Sequence, residues 1–573
     1  MATRPDVPAL PTDLKPKDGV LRMMPLGGLG AIGMNCCLFE YSGEIIMLDC
    51  GQMMPDEELL GIDYVIPDVT YLLNKLDRFR GIILTHAHED HVGGLPYILP
   101  QLPKDTPVYG SELTISLLKE KMREHRLSPN FKLLHARQKV TLGKHFVVEP
   151  MAVTHSMIDA FAFAVSTPIG TFIHSGDYKM DPAPTDGVGF DFHAFSRQAE
   201  GPDEGILMLI ADSTGADRPG MCPSESTTVP VLDRLIREAT GQIIMATFSS
   251  SLHRIQTVLN LAAKYGRVVF PAGLNMERNI RVASSINAIE IPCEYVDDMD
   301  KAKNYPANKR LILTTGSQGE PLSGLSRMAL DAHRAFRIEP NDTVILSARL
   351  IPGNEKAIYR LINHVSRRGA KVFYPGNTPG IHVSGHAYQD EMRHLYNLTN
   401  PRFLVPVHGE YRHLRAQADV AVNSGMLEEE IIIMENGDCL EVTPHAARII
   451  GKIPHGRIFV DGKGIGDVEE VVIRDRRYLS EDGVVLVILS VSRDTGEILS
   501  GPFLHSRGFA SEEEATAMMK EATEIVREAY EAMNREAQEE SAVVQATIKK
   551  AMKLFLKKKT DRFPVILPVV MEV

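Results

Sequence analysis

Short apolar runs rich in β-branched residues alternate with helix-like stretches along most of this chain, and this alternation limits the possible folds more than any other feature. The strand-like runs are GEIIMLD, RGIILT, GTFIHS, GILMLIA, GQIIMAT, KRLILTT, DTVILS and RFLVPV. Helix-like stretches such as STTVPVLDRLIREAT, RIQTVLNLAAKYG and EKAIYRLINHVSRRG lie between several of them. Because near-continuous apolar runs are typical of strands buried on both faces, the pattern predicts an α/β fold.

The length and composition limit the class of protein. A chain of 573 residues predicts more than one domain, since single cores stop growing at about 250–300 residues. We find no apolar run of the roughly 18–20 residues that a membrane span needs, and six cysteines without a CxxC pair indicate a reducing compartment. We therefore expect a cytoplasmic protein with no membrane partner. Residues 1–19, rich in proline, are predicted to form a flexible arm.

The seven-residue run THAHEDH, from Thr85 to His91, is the strongest chemical signal in the sequence. It follows the run GIIL, and α/β proteins usually place ligand-binding residues in the loop after such a strand. His86 and His88 lie on the same side of an extended loop and can bind one metal ion together. Asp90 follows where a helix begins and faces the other way, with His91. A polar surface turn is the alternative, but four potential ligands in six residues favour a two-metal site.

Further potential ligands lie at the ends of other strand-like runs. Each alone is more often an ordinary polar residue, but together they complete two sites: VVEPMAVTHS contains His155, TFIHSGDYK contains Asp177 and RFLVPVHGE contains His408. We predict one ion held by His86, His88, His155 and Asp177, and a second held by Asp90, His91, Asp177 and His408. The first set suits Zn²⁺ and the second can also take Mn²⁺. Asp49 is predicted to support a ligand histidine from behind.

The pattern changes near HGRIFVDGKGIGD, where glycines interrupt the chain. Two strand-like runs follow, GVVLVILSVS and GEILSGPFLHS, and an acidic stretch from about Ser511 to Glu540 predicts one long helix. These features predict a separate small α/β domain at 466–573, after a linker at 456–465.

Several longer motifs resemble those of a known family. THAHEDH, VTHS and SGDYK resemble motifs of the metallo-β-lactamase fold. ADST around Asp212, HVSGHA around His386 and PVHGE around His408 resemble three further motifs of the β-CASP nucleases. LGGLGAIGMN, GSQGEPLSGLSRMA, PVHGEYRHL and GRIFVDGKGIGD narrow the resemblance to the ribonuclease J family. It covers nearly everything after about residue 19.

The resemblance implies a fold and an oligomer. The expected fold is a metallo-β-lactamase αββα sandwich, with its first part at 20–220 and its second part at 376–455. An α/β β-CASP domain at 221–375 interrupts it, and a small α/β domain ends the chain. The resemblance also implies a homodimer or homotetramer formed through the C-terminal domain, and partners among other RNA-decay proteins.

The activity that the resemblance implies is hydrolysis of RNA during RNA maturation and decay. We expect a 5′-to-3′ exonuclease that favours 5′-monophosphate ends of single-stranded RNA, with additional endonuclease activity. Two metal ions activate a water in such sites, and Asp90 and Asp177 position them. His386 is the expected proton donor to the leaving oxygen, tuned by Asp212, although a structural histidine beside a glycine turn is the alternative. By the same resemblance, a histidine at position 408 is typical of RNA-processing rather than DNA-processing relatives.

Substrate contacts are expected from two segments. The first, GIHVSGH, is a cradle for a terminal phosphate, and the second is TFSSSLHR. The candidate substrate-binding residues are Ser249, Ser250, Arg254, His382, Val383, Ser384, Gly385 and His386. From Arg327 to Lys371, nine Lys and Arg face four Asp and Glu, which can attract RNA although the net charge of the chain is −12. A solvated helix face explains most of these charges equally well.

Three further features have weaker signals. The resemblance alone implies a structural Ca²⁺ held by Gly61, Asp63 and Asp461, and oxygen ligands suit that ion. The family usually has an acidic residue where Ala31 stands and Asn where Gly215 stands; neither position is a proposed ligand. Glycines 28, 30 and 33 satisfy GxGxxG, but MNCCLFEYSGEIIMLD after them predicts two strands rather than the helix of a dinucleotide fold.

Two other functions remain as alternatives. A metal hydrolase of small thioesters or lactams shares the HxHxDH loop, but the long insert between Asp177 and His408 argues against it. A non-catalytic RNA-binding scaffold would have lost metal ligands, and all seven predicted ligands are present.

Overall fold

The computed structural model describes residues 8–11, 14–56, 58–200, 205–351, 353–462, 464–466, 470–510 and 512–573. The chain divides into two compact units, Met1–Met53 with Val65–Ile458 and Met54–Tyr64 with Phe459–Val573. The sequence did not predict that a segment near residue 60 belongs to the same unit as the C-terminal residues. Within the described ranges, no helix combines the length and the apolar character needed to cross a membrane.

Residues 21–212 supply most of the strands of two large sheets. They contain strands β1 (Leu21–Gly27), β2 (Cys36–Tyr41), β3 (Glu44–Leu48), β4 (Tyr64–Pro67), β5 (Phe79–Ile83), β6 (Pro107–Gly110), β7 (Asn130–Leu133), β8 (Val140–Leu142), β9 (Phe146–Val153), β10 (Ala160–Thr167), β11 (Gly170–His174) and β12 (Ile206–Asp212), with helices α1 (Thr70–Leu73), α2 (Glu89–Val92), α3 (Leu95–Ile98), α4 (Glu112–Glu124) and α5 (Phe192–Ala199). The two strands around the Ser-Gly turn are β2 and β3, so the rejection of a dinucleotide helix is confirmed.

Residues 229–373 form a separate parallel sheet. They contain α6 (Val229–Glu238), β13 (Ile243–Ala246), α7 (Leu252–Tyr265), β14 (Val268–Ala272), α8 (Leu274–Ser285), β15 (Arg310–Thr314), α9 (Gly324–Ala329), β16 (Thr343–Leu346), α10 (Glu355–Arg367) and β17 (Lys371–Phe373). The strand order is β14-β15-β13-β16-β17, and all pairs are parallel. Gly266 is the C-cap residue that follows helix α7. Its φ of 59° is in the left-handed region, which suits a residue without a Cβ.

Residues 389–452 return to the first core. They contain α11 (Gln389–Thr399), β18 (Phe403–Val407), α12 (Tyr411–Asn423), β19 (Asp438–Val442) and β20 (Ala447–Lys452). Strand β18 extends one sheet, of order β18-β12-β11-β10-β9-β8, and β19 and β20 extend the other, of order β20-β19-β1-β2-β3-β5-β6-β7. Both sheets are therefore completed only after the inserted parallel sheet of residues 229–373.

The two sheets of the core pack face to face, with helices on their outer faces. Phe39 of one sheet stacks on Phe172 of the other with ring centroids 4.6 Å apart, within a continuous apolar cluster. On the far side of the six-stranded sheet, Phe195 of α5 and Leu395 of α11 are fully buried. This is the predicted αββα sandwich, and the expected fold is confirmed.

The smaller unit contains an antiparallel pair, a three-stranded sheet and helices. Its elements are β21 (Arg457–Asp461), which straddles the unit boundary, β22 (Gly464–Ile465), α13 (Glu470–Glu481), β23 (Val484–Val491), β24 (Ile498–Arg507), α14 (Glu512–Glu531), α15 (Arg535–Gln538), α16 (Ser541–Thr560) and β25 (Val565–Glu572). The sheet order is β24-β23-β25. The prediction of one helix up to Glu540 was wrong, because α14 ends at Glu531 and the short α15 follows; Ser511 lies outside the described residues.

Candidate metal centre and RNA site

The predicted metal ligands lie in loops that follow strands of the two packed sheets. The THAHEDH loop follows β5, His155 follows β9, Asp177 follows β11 and His408 follows β18. His88 is the N-cap residue of α2, so Asp90 and His91 lie in the first turn of that helix, as the sequence predicted. Because each loop leaves its sheet at the same edge, side chains far apart in the sequence converge there.

Three histidines and Asp177 form the first group. The His88 Nδ1 atom lies 2.9 Å from His86 Nε2 and 3.1 Å from His155 Nε2. Asp177 Oδ2 lies 3.7 Å from the Nε2 atoms of His86 and His155. The four ligand atoms lie within 4.8 Å of one another, so they face a common point.

Asp177 also belongs to a second group with Asp90, His91 and His408. Its Oδ2 atom lies 3.3 Å from His91 Nε2, and its Oδ1 atom lies 3.3 Å from His408 Nδ1. Asp90 Oδ2 lies 3.2 Å from His408 Nε2 and 3.6 Å from His91 Nε2. A cavity of about 30 Å³ borders His91, Asp177 and His408. Asp177 is thus shared between both groups, as a carboxylate bridging two ions must be.

The protonation of the first group suits a metal ion. Burial holds the pKa of His86 and of His155 well below the usual range of histidine, and burial lowers the pKa of His88 to about 4. Neutral imidazoles keep a lone pair for a metal, and three of them with one carboxylate are a set that Zn²⁺ accepts. The first group therefore fits a divalent ion, and the second group offers more oxygen ligands through Asp90 and Asp177.

Asp49 lies behind the second group. Its Oδ2 atom is 2.7 Å from His91 Nδ1. The Asp49 carboxylate also accepts two hydrogen bonds from Thr85, one from the backbone N–H at 2.8 Å and one from the hydroxyl at 2.9 Å. Burial opposes the charged form of His91, but Asp177, Asp90 and Asp49 outweigh burial and hold the pKa of His91 well above its usual range. Asp49 therefore orients the ring of His91, which is the geometry that a supporting carboxylate needs.

Asp212 connects His386 with His408. Its Oδ2 atom is 2.7 Å from His386 Nδ1, and its Oδ1 atom is 3.2 Å from His408 Nδ1. Burial alone would raise the pKa of Asp212, but His386 and His408 reverse that effect and hold it below the usual range. One buried carboxylate thus fixes both rings, and His386 lies beside the first group, 5.0 Å from His155 between ring centroids.

The segment from His382 to Gly385 packs against the first group. The Gly385 carbonyl lies 2.8 Å from His155 Nδ1. A Cβ atom at Gly385 would lie 2.9 Å from the His155 ring, so glycine is required there for close approach rather than for a left-handed backbone. Ser384 Oγ accepts a hydrogen bond from the His386 N–H at 3.2 Å, and Val383 is buried. The candidate phosphate cradle and a candidate metal ligand are therefore in direct contact.

The three candidates from the TFSSSLHR segment have different surroundings. Arg254 is 2% exposed; its guanidinium donates to Glu225 at 2.7 Å and to the Ile381 carbonyl at 2.9 Å. It therefore holds the start of the His382 segment in place, and a direct RNA contact by Arg254 stays a prediction. Ser249 and Ser250 are half-buried. Ser249 lines a separate cleft, whose other lining residues lie between Thr247 and Ser323.

Two arginines that the sequence analysis did not single out lie near His382. Arg349 is half-buried, and its guanidinium makes no hydrogen bond within the described part of the chain. Burial lowers the pKa of Arg349, and nearby Arg218 lowers it further. Burial, then Arg254 and Arg349, hold the pKa of His382 well below its usual range. Arg349 lies in the segment from Arg327 to Lys371, which has more basic than acidic residues. Its partial burial is a property that the sequence does not show.

Asn35 is another residue that the sequence analysis missed. Its amide nitrogen lies 3.1 Å from the Asp90 carbonyl and 3.1 Å from His91 Nε2. A Cβ atom at Gly28 would lie 2.4 Å from Asn35 Oδ1, which explains one glycine of the GxGxxG stretch. No local pattern identifies Asn35, because its contacts are to residues more than fifty positions away.

The two departures from the family pattern have different surroundings. A Cβ atom at Gly215 would lie 2.1 Å from the Ala387 carbonyl oxygen, so a larger residue would require a rearrangement there. Ala31 forms an isolated antiparallel bridge with Gly409, next to His408. Neither contact involves a predicted metal ligand.

The residues predicted to bind calcium lie close together in the smaller unit, with an arginine among them. Arg476 donates to Asp461 at 2.5 Å and to the Leu60 carbonyl at 3.0 Å. Asp63 accepts a hydrogen bond from the Gly462 N–H at 2.8 Å, and a Cβ atom at Gly61 would lie 2.8 Å from Arg476 Nη1. The positive charge of the Arg476 guanidinium therefore already lies among the residues that were predicted to bind Ca²⁺. The arrangement is not a site made of oxygen ligands alone.

Comparisons with known proteins agree with this geometry. Four family models match: Beta-lactamase superfamily domain at residues 48–197, Ribonuclease J, beta-CASP domain at 240–365, Zn-dependent metallo-hydrolase RNA specificity domain at 380–434, and Ribonuclease J C-terminal domain at 471–573. The fold and the site thus define a metallo-β-lactamase-type hydrolase with an inserted β-CASP domain.

Similar chains narrow this class. Ribonuclease J of Thermus thermophilus is 39% identical over 566 residues, 97% of this chain and 96% of that one. Ribonuclease J2 of Bacillus subtilis is 36% identical over 559 residues, 96% and 99% of the two chains. The chain belongs to the ribonuclease J family, and the resemblance found in its motifs is confirmed. A solved structure of a protein of unknown function from Enterococcus faecalis, 15% identical with a TM-score of 0.52, covers 74% of this chain and 100% of its own, and shares the fold.

Proposed function

We propose that this chain is a metal-dependent ribonuclease that hydrolyses RNA phosphodiester bonds. It acts as a 5′-to-3′ exonuclease that favours 5′-monophosphate ends, with additional endonuclease activity in RNA maturation and decay. The observation that carries the proposal is the convergence of two ligand groups on Asp177, directly beside the segment from His382 to His386. A hydrolase of small thioesters does not need the segment from His382 to His386 beside its metal site.

The proposed ligands of two divalent ions, Zn²⁺ or Mn²⁺, are His86, His88, Asp90, His91, His155, Asp177 and His408. When bound, such ions lower the pKa of water and neutralise phosphate charge. Asp177 belongs to both groups, and Asp49 keeps His91 in the orientation that turns its Nε2 atom toward Asp90 and Asp177.

His386 is proposed to deliver a proton to the leaving 3′ oxygen. In the protonated ring the Nδ1–H donates to Asp212, and the Nε2–H is left to donate toward the substrate. Because Asp212 is acceptor-only when ionised, it keeps a proton on Nδ1, so the Nε2 proton is the one that is transferred. The proton passes from the ring to the oxygen as the phosphorus–oxygen bond breaks.

The 5′ phosphate is proposed to bind Ser384, the Gly385 N–H and His382, with Arg349 supplying positive charge. The Ser384 oxygen already accepts from the His386 N–H, so its own hydrogen is available to a phosphate oxygen. Since Gly385 touches His155, a phosphate held here lies a short, fixed distance from the ligand groups. That distance selects the end of an RNA chain for stepwise hydrolysis.

Digestion of 5′-labelled single-stranded RNA tests the proposal. Protein stripped with a chelator should cleave no RNA, and measured Zn²⁺ or Mn²⁺ addition should restore mononucleotide products from monophosphorylated ends. The matched control is the same protein treated with chelator already saturated with metal. Undiminished cleavage by protein shown by mass spectrometry to contain no metal would rule the proposal out.

The domain limits, oligomer and location belong to the same proposal. We retain the limits 1–19, 20–220, 221–375, 376–455, 456–465 and 466–573, and each family-model match falls within one of them. The proposed protein is a cytoplasmic homodimer or homotetramer formed through the C-terminal domain, with other RNA-decay proteins as partners. An apolar face on the sheet of the smaller unit supports the self-association. Phe503 and Val569 on this face are 61% and 41% exposed.

Calcium binding by Gly61, Asp63 and Asp461 is proposed only in competition with Arg476. Because the guanidinium already neutralises Asp461, we expect Ca²⁺ to leave the melting temperature of the wild-type protein unchanged. Arg476→Gln removes the charge and should make the melting temperature rise with Ca²⁺. Equal responses of both proteins to Ca²⁺ in a thermal-shift titration would contradict the competition.

A further inference from the structure

A cleft of about 550 Å³ opens in the β-CASP domain, apart from the ligand groups. It lies beyond the carboxyl ends of β13 and β15, where parallel sheets commonly bind ligands. Its volume is within the range of about 300–1,000 Å³ that is usual for small-molecule sites. The lining residues are Thr247, Phe248, Ser249, Asn275, Thr315, Gly316, Ser317, Glu320, Pro321, Leu322 and Ser323.

The wall of the cleft formed by residues 315–323 is fixed by its own hydrogen bonds. The Leu325 N–H donates to the Thr315 carbonyl at 3.2 Å, and the Ser323 N–H donates to the Glu320 carbonyl at 3.2 Å. Gly316 has a φ of 109°, and a Cβ atom there would lie 2.3 Å from Ser323 Oγ. The loop is therefore shaped before any ligand arrives, which limits the entropy cost of binding.

The charged side chains of the cleft disfavour a phosphate as its occupant. Among its lining residues, all of them described, there is no Lys or Arg, and the one charged side chain is the carboxylate of Glu320. An anion would face that carboxylate with no basic side chain in the lining to balance it. The cleft therefore differs from the proposed phosphate cradle, although Ser249 lines it.

The remaining lining groups suit a flat ring with hydrogen-bonding edges. Phe248 is half-buried and Leu322 is 88% exposed, so both offer apolar surface. The side-chain polar atoms of Ser249, Asn275 and Thr315 make no hydrogen bond within the described ranges and keep their full capacity for a ligand. Glu320 can accept from the amino group of adenine, cytosine or guanine, which uracil lacks.

We propose that this cleft binds one nucleobase of the RNA chain during cleavage, away from the scissile bond. The inference rests on the proposed ribonuclease function. A base stacks on Phe248 and Leu322, and its edge bonds Asn275, Ser249 and Glu320. This contact adds affinity for single-stranded RNA at one fixed position along the chain and favours amino-bearing bases over uracil there.

An abasic scan tests the inference. A single abasic nucleotide is moved along a 5′-monophosphorylated single-stranded RNA, and kcat/KM is measured for each position. Wild-type protein should lose about five- to fiftyfold at one position, in keeping with the usual effect of losing a stacked base. The double variant Leu322→Ala/Asn275→Ala should already have the reduced kcat/KM on RNA without an abasic nucleotide. An abasic nucleotide at the sensitive position should then cause no further loss. Both side chains are exposed, so the fold is retained.

The control variant is Leu330→Ala, a side chain 54% exposed in the same domain but outside the cleft, which should behave as wild type. A wild-type protein that cleaves RNA with no sensitive position overturns the inference and leaves the proposed function intact. Absence of any cleavage overturns both. Binding of free adenosine, cytidine and uridine is measured as a second experiment. Saturable binding of these nucleosides, together with an abasic scan in which no position is sensitive, would overturn the assignment of the cleft to the RNA chain.

Discussion

At the scale of single residues, Asp177 and His386 depend on partners far away in the sequence. Asp177 contacts histidines from three other loops, and His386 is held by Asp212, 174 positions away. Such contacts make a residue sensitive to substitution even when the new side chain is similar in size. Arg349 is the opposite case, because its guanidinium makes no hydrogen bond or close ion pair within the described residues.

Asp177→Ala should remove RNA cleavage and lower the metal content from two ions toward one or none, because the carboxylate belongs to both groups. Metal analysis by mass spectrometry and digestion of labelled RNA are the measurements. His174→Ala is a control beside the site: His174 accepts from the Gly176 N–H at 3.1 Å and is not a proposed ligand, so two ions should remain. Two ions and full cleavage in Asp177→Ala would disprove the shared-ligand arrangement.

Arg349→Gln should raise KM for RNA by about tenfold and reduce the salt dependence of binding by about one phosphate contact, since a charged hydrogen bond is lost. Arg360→Gln is the matched control, because Arg360 is exposed and belongs to the same positive excess. Equal effects of the two substitutions would show that only the general charge of this region matters.

At the scale of elements, strand ends and one short segment determine the site. The loops after β5, β9, β11 and β18 each bring one or more ligands to the same edge of the sheets. The segment from His382 to His386 then crosses this edge and is tied to it by the contact of Gly385 with His155 and by the Ile381 carbonyl, which accepts from Arg254 and from the Ser347 hydroxyl. The segment proposed to bind the 5′ phosphate is therefore fixed at both ends.

Ser384→Ala should slow the digestion of 5′-monophosphorylated RNA by roughly ten- to a hundredfold, because a hydrogen bond to a charged group contributes about 1.5–3 kcal/mol. Internal cleavage, which does not use the terminal phosphate, should change much less. The measurement compares wild type and variant on matched RNAs with monophosphate, triphosphate and hydroxyl 5′ ends. A wild type that does not distinguish these ends, with a variant slowed equally on all, would refute the cradle.

At the scale of the whole molecule, the smaller unit has one buried and one exposed sheet face. Val485, Val487 and Leu489 of β23 are buried in the cluster that includes Val526 of α14 and Met552 of α16. On the other face, the strand register places Ile488 between Phe503 and Val569. Contiguous exposed apolar side chains of this kind mark association surfaces.

Phe503→Ser should shift the proposed oligomer toward a smaller species, because it removes a large apolar side chain, 61% exposed, from this face. Sedimentation velocity across a range of concentrations measures the change. Leu427→Ser, at a position 55% exposed in the larger unit, is the control and should leave the oligomer unchanged. An unaltered assembly in Phe503→Ser would place the interface elsewhere.

The sequence by itself determined the fold class and the candidate metal ligands, because both depend on short-range patterns. Buried strands appear as apolar runs, and a ligand loop after such a run is contained in six or seven residues. Only the tertiary structure decided which distant groups meet: the burial of Arg254 with Glu225, the position of Arg476 beside Asp461, the nearness of Asn35 to His91 and the inclusion of Met54–Tyr64 in the smaller unit. Burial and hydrogen-bond partners are properties of segments brought together by packing, and local periodicity does not contain them.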